Sequence, residues 1–270
     1  MKERFVLTTA TPLYTSILTD SSLSMMEAMS NGNGEAISKA DAAALAFNST
    51  IYEAIVLARN SEGVIKDYMF VQVLGFGHDT IKPLLPAPLN TDDFHPLSKI
   101  ADCHLDVEDG RPVWIKPEGN GNTPMCQALD AAYIGLSQKV DQNPDGLPPT
   151  CMMFTDGEPT DGDPHEAAER IKAISTSNGP VTLFPVAISN YGGEPVSFPS
   201  SPDVLPDDYA KLLFEIASPL PDHMIDGVRQ QGFELTPNSR AMVYNADASV
   251  LVKAFRAGTL IANPTVNAER

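Results

Sequence analysis

Apolar residues recur along this chain at two alternating periods, and the alternation predicts its architecture. Residues 13–19 form an apolar, β-branched stretch that reads as a buried strand. Across residues 35–60 the positions Ala36, Ala40, Ala43, Ala44, Phe47, Ile51, Ile55 and Ala58 fall at helical spacing, which predicts a first crossover helix. Residues 67–76 alternate before an apolar finish, and Gly75 and Gly77 close them as a second strand. Helical spacing returns over 123–139 and 164–177, and apolar strands are predicted at 150–154 and 181–188. Asp207 and Asp208 are expected to cap a helix running to Ala217, with an edge strand at 241–244 and a last helix at 248–257. Strands alternating with helices predict an α/β fold, a three-layer doubly wound domain whose central sheet is mostly parallel and flanked by helices.

Two connections depart from this rhythm. Between residues 78 and 112, Pro83, Pro86, Pro88 and Pro96 interrupt any long element; a short helix is expected only at 94–101, and a short strand follows at 112–115. Residues 189–206 hold Pro195, Pro199, Pro202 and Pro206 and read as a loop or small surface excursion. A chain of 270 residues buries one good core, so a single domain over 1–270 is expected, with its core at about 10–257 and a loose polar tail from 263.

Composition narrows the function. With a formal charge of −17 the surface repels phosphate backbones, so nucleic acid is not an expected partner. No apolar run approaches 18 residues and residues 1–7 carry mixed charge, so neither a membrane span nor a secretion signal is read, and a cytoplasmic location is expected. Cys103, Cys126 and Cys151 show no CxxC spacing, so reduced thiols packed as small hydrophobes are expected. The histidines at 78, 95, 104, 165 and 223 are scattered and form no HExxH pair.

The candidate chemistry lies at strand ends. Asp20, Ser22 and Ser24 place three hard oxygen ligands within five positions just after the first strand. Thr123 follows the turn-forming Gly119-Asn120-Gly121-Asn122, and Asp156 ends a buried strand. Hydroxyls with one or two carboxylates suit Mg2+, which takes near-octahedral oxygen coordination and keeps several waters; Mn2+ is the other candidate. In open α/β sheets such ligands belong at the carboxyl ends of the strands.

At these residues the chain resembles the von Willebrand factor A family. That family's metal-ion-dependent adhesion site combines Asp-x-Ser-x-Ser, matched here by Asp20, Ser22 and Ser24, with a loop Thr, matched by Thr123, and an Asp opening a Thr-Asp-Gly turn, matched by Asp156. Leu23 stands where members often carry Gly, and its side chain is expected either to pack inward or to lie beside the metal as contact surface. The resemblance implies that Ser22 and Ser24 coordinate the cation directly, Thr123 directly or through water, and Asp20 and Asp156 mostly through water. It implies further that a Glu or Asp of a partner protein fills the remaining position, so the chain is expected to be a binding module and not an enzyme. The Asn122-Thr123-Pro124-Met125 turn is similar to that of stand-alone bacterial members associated with tellurite resistance and stress response. The alternative is a magnesium-dependent haloacid-dehalogenase-like phosphatase with Asp20 as nucleophile and Asp156, Asp161 and Asp163 as metal ligands. That chemistry wants a second Asp where Ser22 stands.

Overall fold

The computed structural model describes residues 7–30, 35–78, 80–188 and 194–259. Strand β1 (Leu13–Asp20) leads through a small hairpin, β2 (Ala28–Ser30) and β3 (Ala36–Ser38), into helix α1 (Lys39–Ala58) and then β4 (Met69–Gly77). The elaborated connection carries β5 (Thr80–Pro83), β6 (His95–Pro96), α2 (Leu97–Asp102) and the hairpin β7 (Asp106–Glu108) and β8 (Arg111–Val113). Next come α3 (Met125–Gln142), β9 (Thr150–Thr155), α4 (His165–Ala173), the hairpin β10 (Ser175–Thr176) and β11 (Gly179–Pro180), and β12 (Thr182–Ile188). The described part of the chain finishes with β13 (Val196–Ser197), α5 (Asp208–Ile216), α6 (Asp222–Gln230), β14 (Val243–Ala246) and α7 (Ala248–Thr259).

The main sheet runs β13-β14-β12-β9-β1-β4-β5, with β6 beside β4. Its five central strands, β14, β12, β9, β1 and β4, are parallel, and β13, β5 and β6 are antiparallel additions. The chain moves outward from β1 to β4, then returns to β9 on the other flank of β1 and continues to β12 and β14. The connections leaving β1 and β9 therefore diverge, and a crevice opens above their carboxyl ends.

Side-chain alternation along the strands divides the core in two. Ile17, Val71, Val73, Met152, Phe154, Phe184 and Val186 face α1 and α7. Leu18, Leu74, Phe76, Cys151, Met153 and Leu183 face α3, α4 and α5. A sheet buried on both faces explains why its strands read as near-continuous apolar runs. The proline-rich connection is tied down by polar contacts. Ser16 Oγ donates to Gln72 Oε1 (2.7 Å), Gln72 Nε2 donates to the Asp92 carbonyl (2.6 Å), and the buried Trp114 donates its Nε1–H to the Ile100 carbonyl (2.6 Å).

Several boundaries differ from the sequence reading for local reasons. Helix α1 starts at Lys39 because Ser38 forms a capping box with Asp41, and the preceding Ala36–Ser38 pairs with Ala28–Ser30 instead. The strand expected at 112–115 ends at Val113 and pairs with Asp106–Glu108 outside the main sheet. The strand expected as the edge, β14, lies inside it, because β13 pairs on its outer side. Helix α6 lies in a stretch where the sequence predicted no element; Met224, Gly227 and Val228 are its buried residues. Cys151 is buried as expected, whereas Cys103 and Cys126 are half-buried, and all three are free. No described helix is long and apolar enough to cross a membrane. The readings made for residues 1–6, for 189–193 and for the tail from 263 lie outside the described residues.

Candidate metal centre

All five oxygen-bearing residues singled out from the sequence meet above the β1–β9 crevice. Asp20 is the last residue of β1, and the chain turns sharply after it: the Ser22 amide donates to Asp20 Oδ1 (2.8 Å), and a 3-10 turn over Leu23–Met26 follows. That turn places Ser22 Oγ 3.0 Å from Ser24 Oγ, and Ser24 Oγ donates to Asp156 Oδ1 (2.8 Å), directly after β9. Thr123 reaches the same point from the loop before α3. A Cβ on Gly157 would lie 3.5 Å from Thr123 Oγ1 and 4.0 Å from Ser24 Oγ, so Gly157 leaves the space between these hydroxyls open.

The loops are locked at backbone level. The Asn120 amide donates to the Ser21 carbonyl (2.7 Å), the Leu23 amide to the Gly121 carbonyl (3.1 Å), and the Ser21 amide to the Phe76 carbonyl (2.8 Å). This close approach requires Gly77, where a Cβ would fall 2.4 Å from the Ser21 oxygen. It also requires Gly121, whose φ of +70° is the left-handed region glycine favours.

Asp20, Ser22 and Thr123 are buried and Ser24 is half-buried at the mouth, while Leu23 is 65% and Met26 48% exposed. Of the two placements expected for Leu23, the structure shows the outward one, beside the hydroxyl cluster.

Four residues not singled out from the sequence complete the site. Thr155 Oγ1 donates to Asp20 Oδ2 (2.8 Å), and Tyr209 on α5 donates its hydroxyl to Thr155 Oγ1 (3.4 Å). Lys39, the first residue of α1, donates from Nζ to Asp156 Oδ2 (2.9 Å) and to Glu27 Oε2 (2.8 Å). Thr155 adjoins Asp156 in sequence, which is a usable signal. Lys39, Glu27 and Tyr209 carry none, because only the folded chain brings them here.

Electrostatics set the two carboxylates apart. Burial pushes Asp20 up to about 6, against the opposing hydrogen bonds from Ser22 and Thr155, and the charge of Asp156 adds to the rise. Burial alone would push Lys39 down, yet its hydrogen bonds to Glu27 and Asp156 prevail and hold it above its ordinary value. Among the described residues Asp156 thus has a partner cation and Asp20 has hydrogen bonds only.

Among the described residues no three His, Cys, Asp or Glu side chains converge as metal ligands. A cation here must be held by hydroxyls and at most two carboxylates. That donor set, with a buried carboxylate that has no counter-charge among the described residues, fits a hard cation such as Mg2+. Asp161, a ligand in the phosphatase reading, is committed elsewhere: it accepts from the Cys126 (3.0 Å) and Gln127 (2.9 Å) amides and caps α3. Asp163 faces His165, 2.5 Å from its Nδ1.

The fold and site define a doubly wound α/β domain with a hydroxyl–carboxylate cluster at its switch point. No family model matches the sequence, and no curated protein matches it. Among solved structures, the human COPII-coat protein Sec24c is 10% identical over 66% of this chain and 26% of its own, with a TM-score of 0.36. The vWF domain of the type V pili tip protein Mfa5 from Porphyromonas gingivalis is 13% identical over 85% of this chain and 56% of its own, with a TM-score of 0.34. An uncharacterized membrane spanning protein from Vibrio fischeri is 19% identical over 67% and 72%, with a TM-score of 0.25. The chain therefore spans about a quarter of Sec24c and just over half of the Mfa5 chain. Likeness at these scores carries no argument about the site, and the fold assignment rests on the strand order and helix layers.

Proposed function

We propose that the chain is a cation-dependent protein-binding module, with Asp20, Ser22, Ser24, Thr123 and Asp156 holding Mg2+ or Mn2+ and a Glu or Asp of a partner protein completing the coordination. The observation that carries this is the continuous Ser22–Ser24–Asp156 hydroxyl–carboxylate chain beside the buried Asp20. When bound, the ion supplies a Lewis-acidic point for an external carboxylate. The protein's residues do the rest. Ser22 and Thr155 orient the Asp20 carboxylate, Gly77 and Gly121 let the two loops close on each other, and the exposed Leu23 and Met26 offer apolar contact beside the mouth. The resemblance to von Willebrand factor A domains supports the same reading, and a role in a bacterial stress or tellurite-resistance system rests on that resemblance alone.

Binding is favoured over phosphatase chemistry because Asp161 spends both carboxylate oxygens on α3. The test is melting with and without Mg2+. A ligand that binds only the native state stabilises by mass action, so millimolar Mg2+ should raise the wild-type melting temperature, EDTA should reverse the rise, and Asp156→Ala should abolish it. Wild type and Asp156→Ala melting alike across that range would refute the metal site. Magnesium-dependent turnover of an aryl phosphate, lost in Asp20→Asn, would establish the phosphatase instead.

A further inference from the structure

We propose that Lys39 is a specificity-determining residue of this centre: a tethered cation that holds Asp156 by one oxygen and keeps the site short of negative charge, so that a bound divalent ion retains positive charge for an external carboxylate. The inference rests on the metal-site reading above.

Lys39 is an improbable residue for its position on structural grounds alone. Its side chain is 5% exposed, and a buried ammonium is costly unless paired. It also occupies the first position of α1, where the helix dipole disfavours a cation. Helix capping does not need it, because Ser38 and Asp41 form the capping box between them. What compensates the ammonium is Asp156 Oδ2 at 2.9 Å and Glu27 Oε2 at 2.8 Å.

The consequence follows from counting charges. Asp20 and Asp156 contribute two negative charges and Lys39 one positive, leaving the cluster at −1; Glu27 lies at the surface, its side chain 59% exposed and screened by solvent. A divalent ion brings this cluster to +1, whereas without Lys39 it would reach zero. Lys39 also occupies Asp156 Oδ2, leaving Oδ1, the Ser24 partner, to face the hydroxyls. Asp156 is therefore held away from clamping an ion with both oxygens. The site is built to bind its cation weakly and to gain affinity when a partner supplies the missing negative charge.

The experiment measures Mn2+ affinity by paramagnetic relaxation of water protons, with and without saturating glutarate as the carboxylate probe. In wild type, glutarate should tighten Mn2+ binding, as reciprocal linkage requires if it joins the same ion. Lys39→Gln should bind Mn2+ on the order of tenfold tighter and lose the glutarate effect. The double variant Lys39→Gln with Glu27→Gln, which leaves no unpaired surface carboxylate, should behave the same way and serves if the single variant fails to fold. Folded variants with wild-type or weaker Mn2+ affinity, or with the glutarate effect intact, overturn the role of Lys39. Failure of wild type and both variants alike to bind Mn2+ overturns the metal reading beneath it.

Discussion

Replacing Asp20 with Asn separates a carboxylate kept for binding from one kept for stability. The burial that raises Asp20 from 3.8 to about 6 means that at pH 7 the folded protein carries a charge the unfolded chain carries more cheaply. At about 1.4 kcal/mol per pH unit, that is a penalty on the order of 3 kcal/mol. The sign is fixed by the direction: a carboxyl raised on folding favours the proton in the folded state, so stability rises as pH falls through about 6 and is reduced above it. Asn keeps an acceptor for the Ser22 amide, and the Thr155 hydroxyl can turn to the Gly157 carbonyl, 3.2 Å away. One weakened hydrogen bond costs about 0.5–1.5 kcal/mol, leaving a net gain of roughly 1–3 kcal/mol. For a chain of this size each kcal/mol shifts the melting temperature by about 2–4 °C. In EDTA at pH 7 the variant should thus melt several degrees above wild type, the gap should narrow by about half at pH 5 and close towards pH 4, and Mg2+ should no longer raise its melting temperature. A variant that melts below wild type at pH 7 would show that Asp20 is a structural group, and a gap undiminished between pH 7 and pH 4 would refute its origin in the Asp20 charge.

Two further substitutions probe the scaffold. Gly77→Ala would place a Cβ 2.4 Å from the Ser21 carbonyl oxygen and 3.0 Å from that of Asn120, both backbone atoms, so it should cost about 1–3 kcal/mol in urea unfolding and abolish the Mg2+ response; stability and response both unchanged would contradict the close loop approach. His223 on α6 is pushed down to about 4 by burial, so its contribution is present above its ordinary value near 6.5 and is lost as pH falls towards 4; His223→Gln should flatten the acid limb of the melting profile in that window, and an unchanged slope would place His223 in solvent.

The parts of the fold legible in the sequence were those in which burial is two-sided or strongly periodic. Residues 150–154 and 181–188 read as strands because the sheet covers both their faces, and α3 showed its apolar stripe through Met125, Ala128, Leu129, Ala132 and Leu136. Elements of two to four residues, such as β6 and β13, leave no period to detect, and α6 is only nine residues long, with Gly227, a poor helix former, between its buried Met224 and Val228. At the site, Asp20, Ser22, Ser24, Thr123 and Asp156 were legible because each adjoins a strand end or a turn signal. Lys39 was not: it stands 117 positions from Asp156, and nothing local in the chain states that an ammonium and a carboxylate will share a buried pocket.

The antiparallel additions that end the main sheet also govern how it meets other chains. A parallel sheet terminated by long, open strands would present rows of unpaired amides and carbonyls, a template for another strand to join. Among the described residues one flank ends in the two-residue β13, and the other in the two-residue β6 and in β5, where Pro83 has no amide hydrogen to donate and Lys82 adds charge. Both margins are poor ground for strand addition, so the crevice at the top of the sheet stays open while its flanks offer little template for chain-to-chain growth.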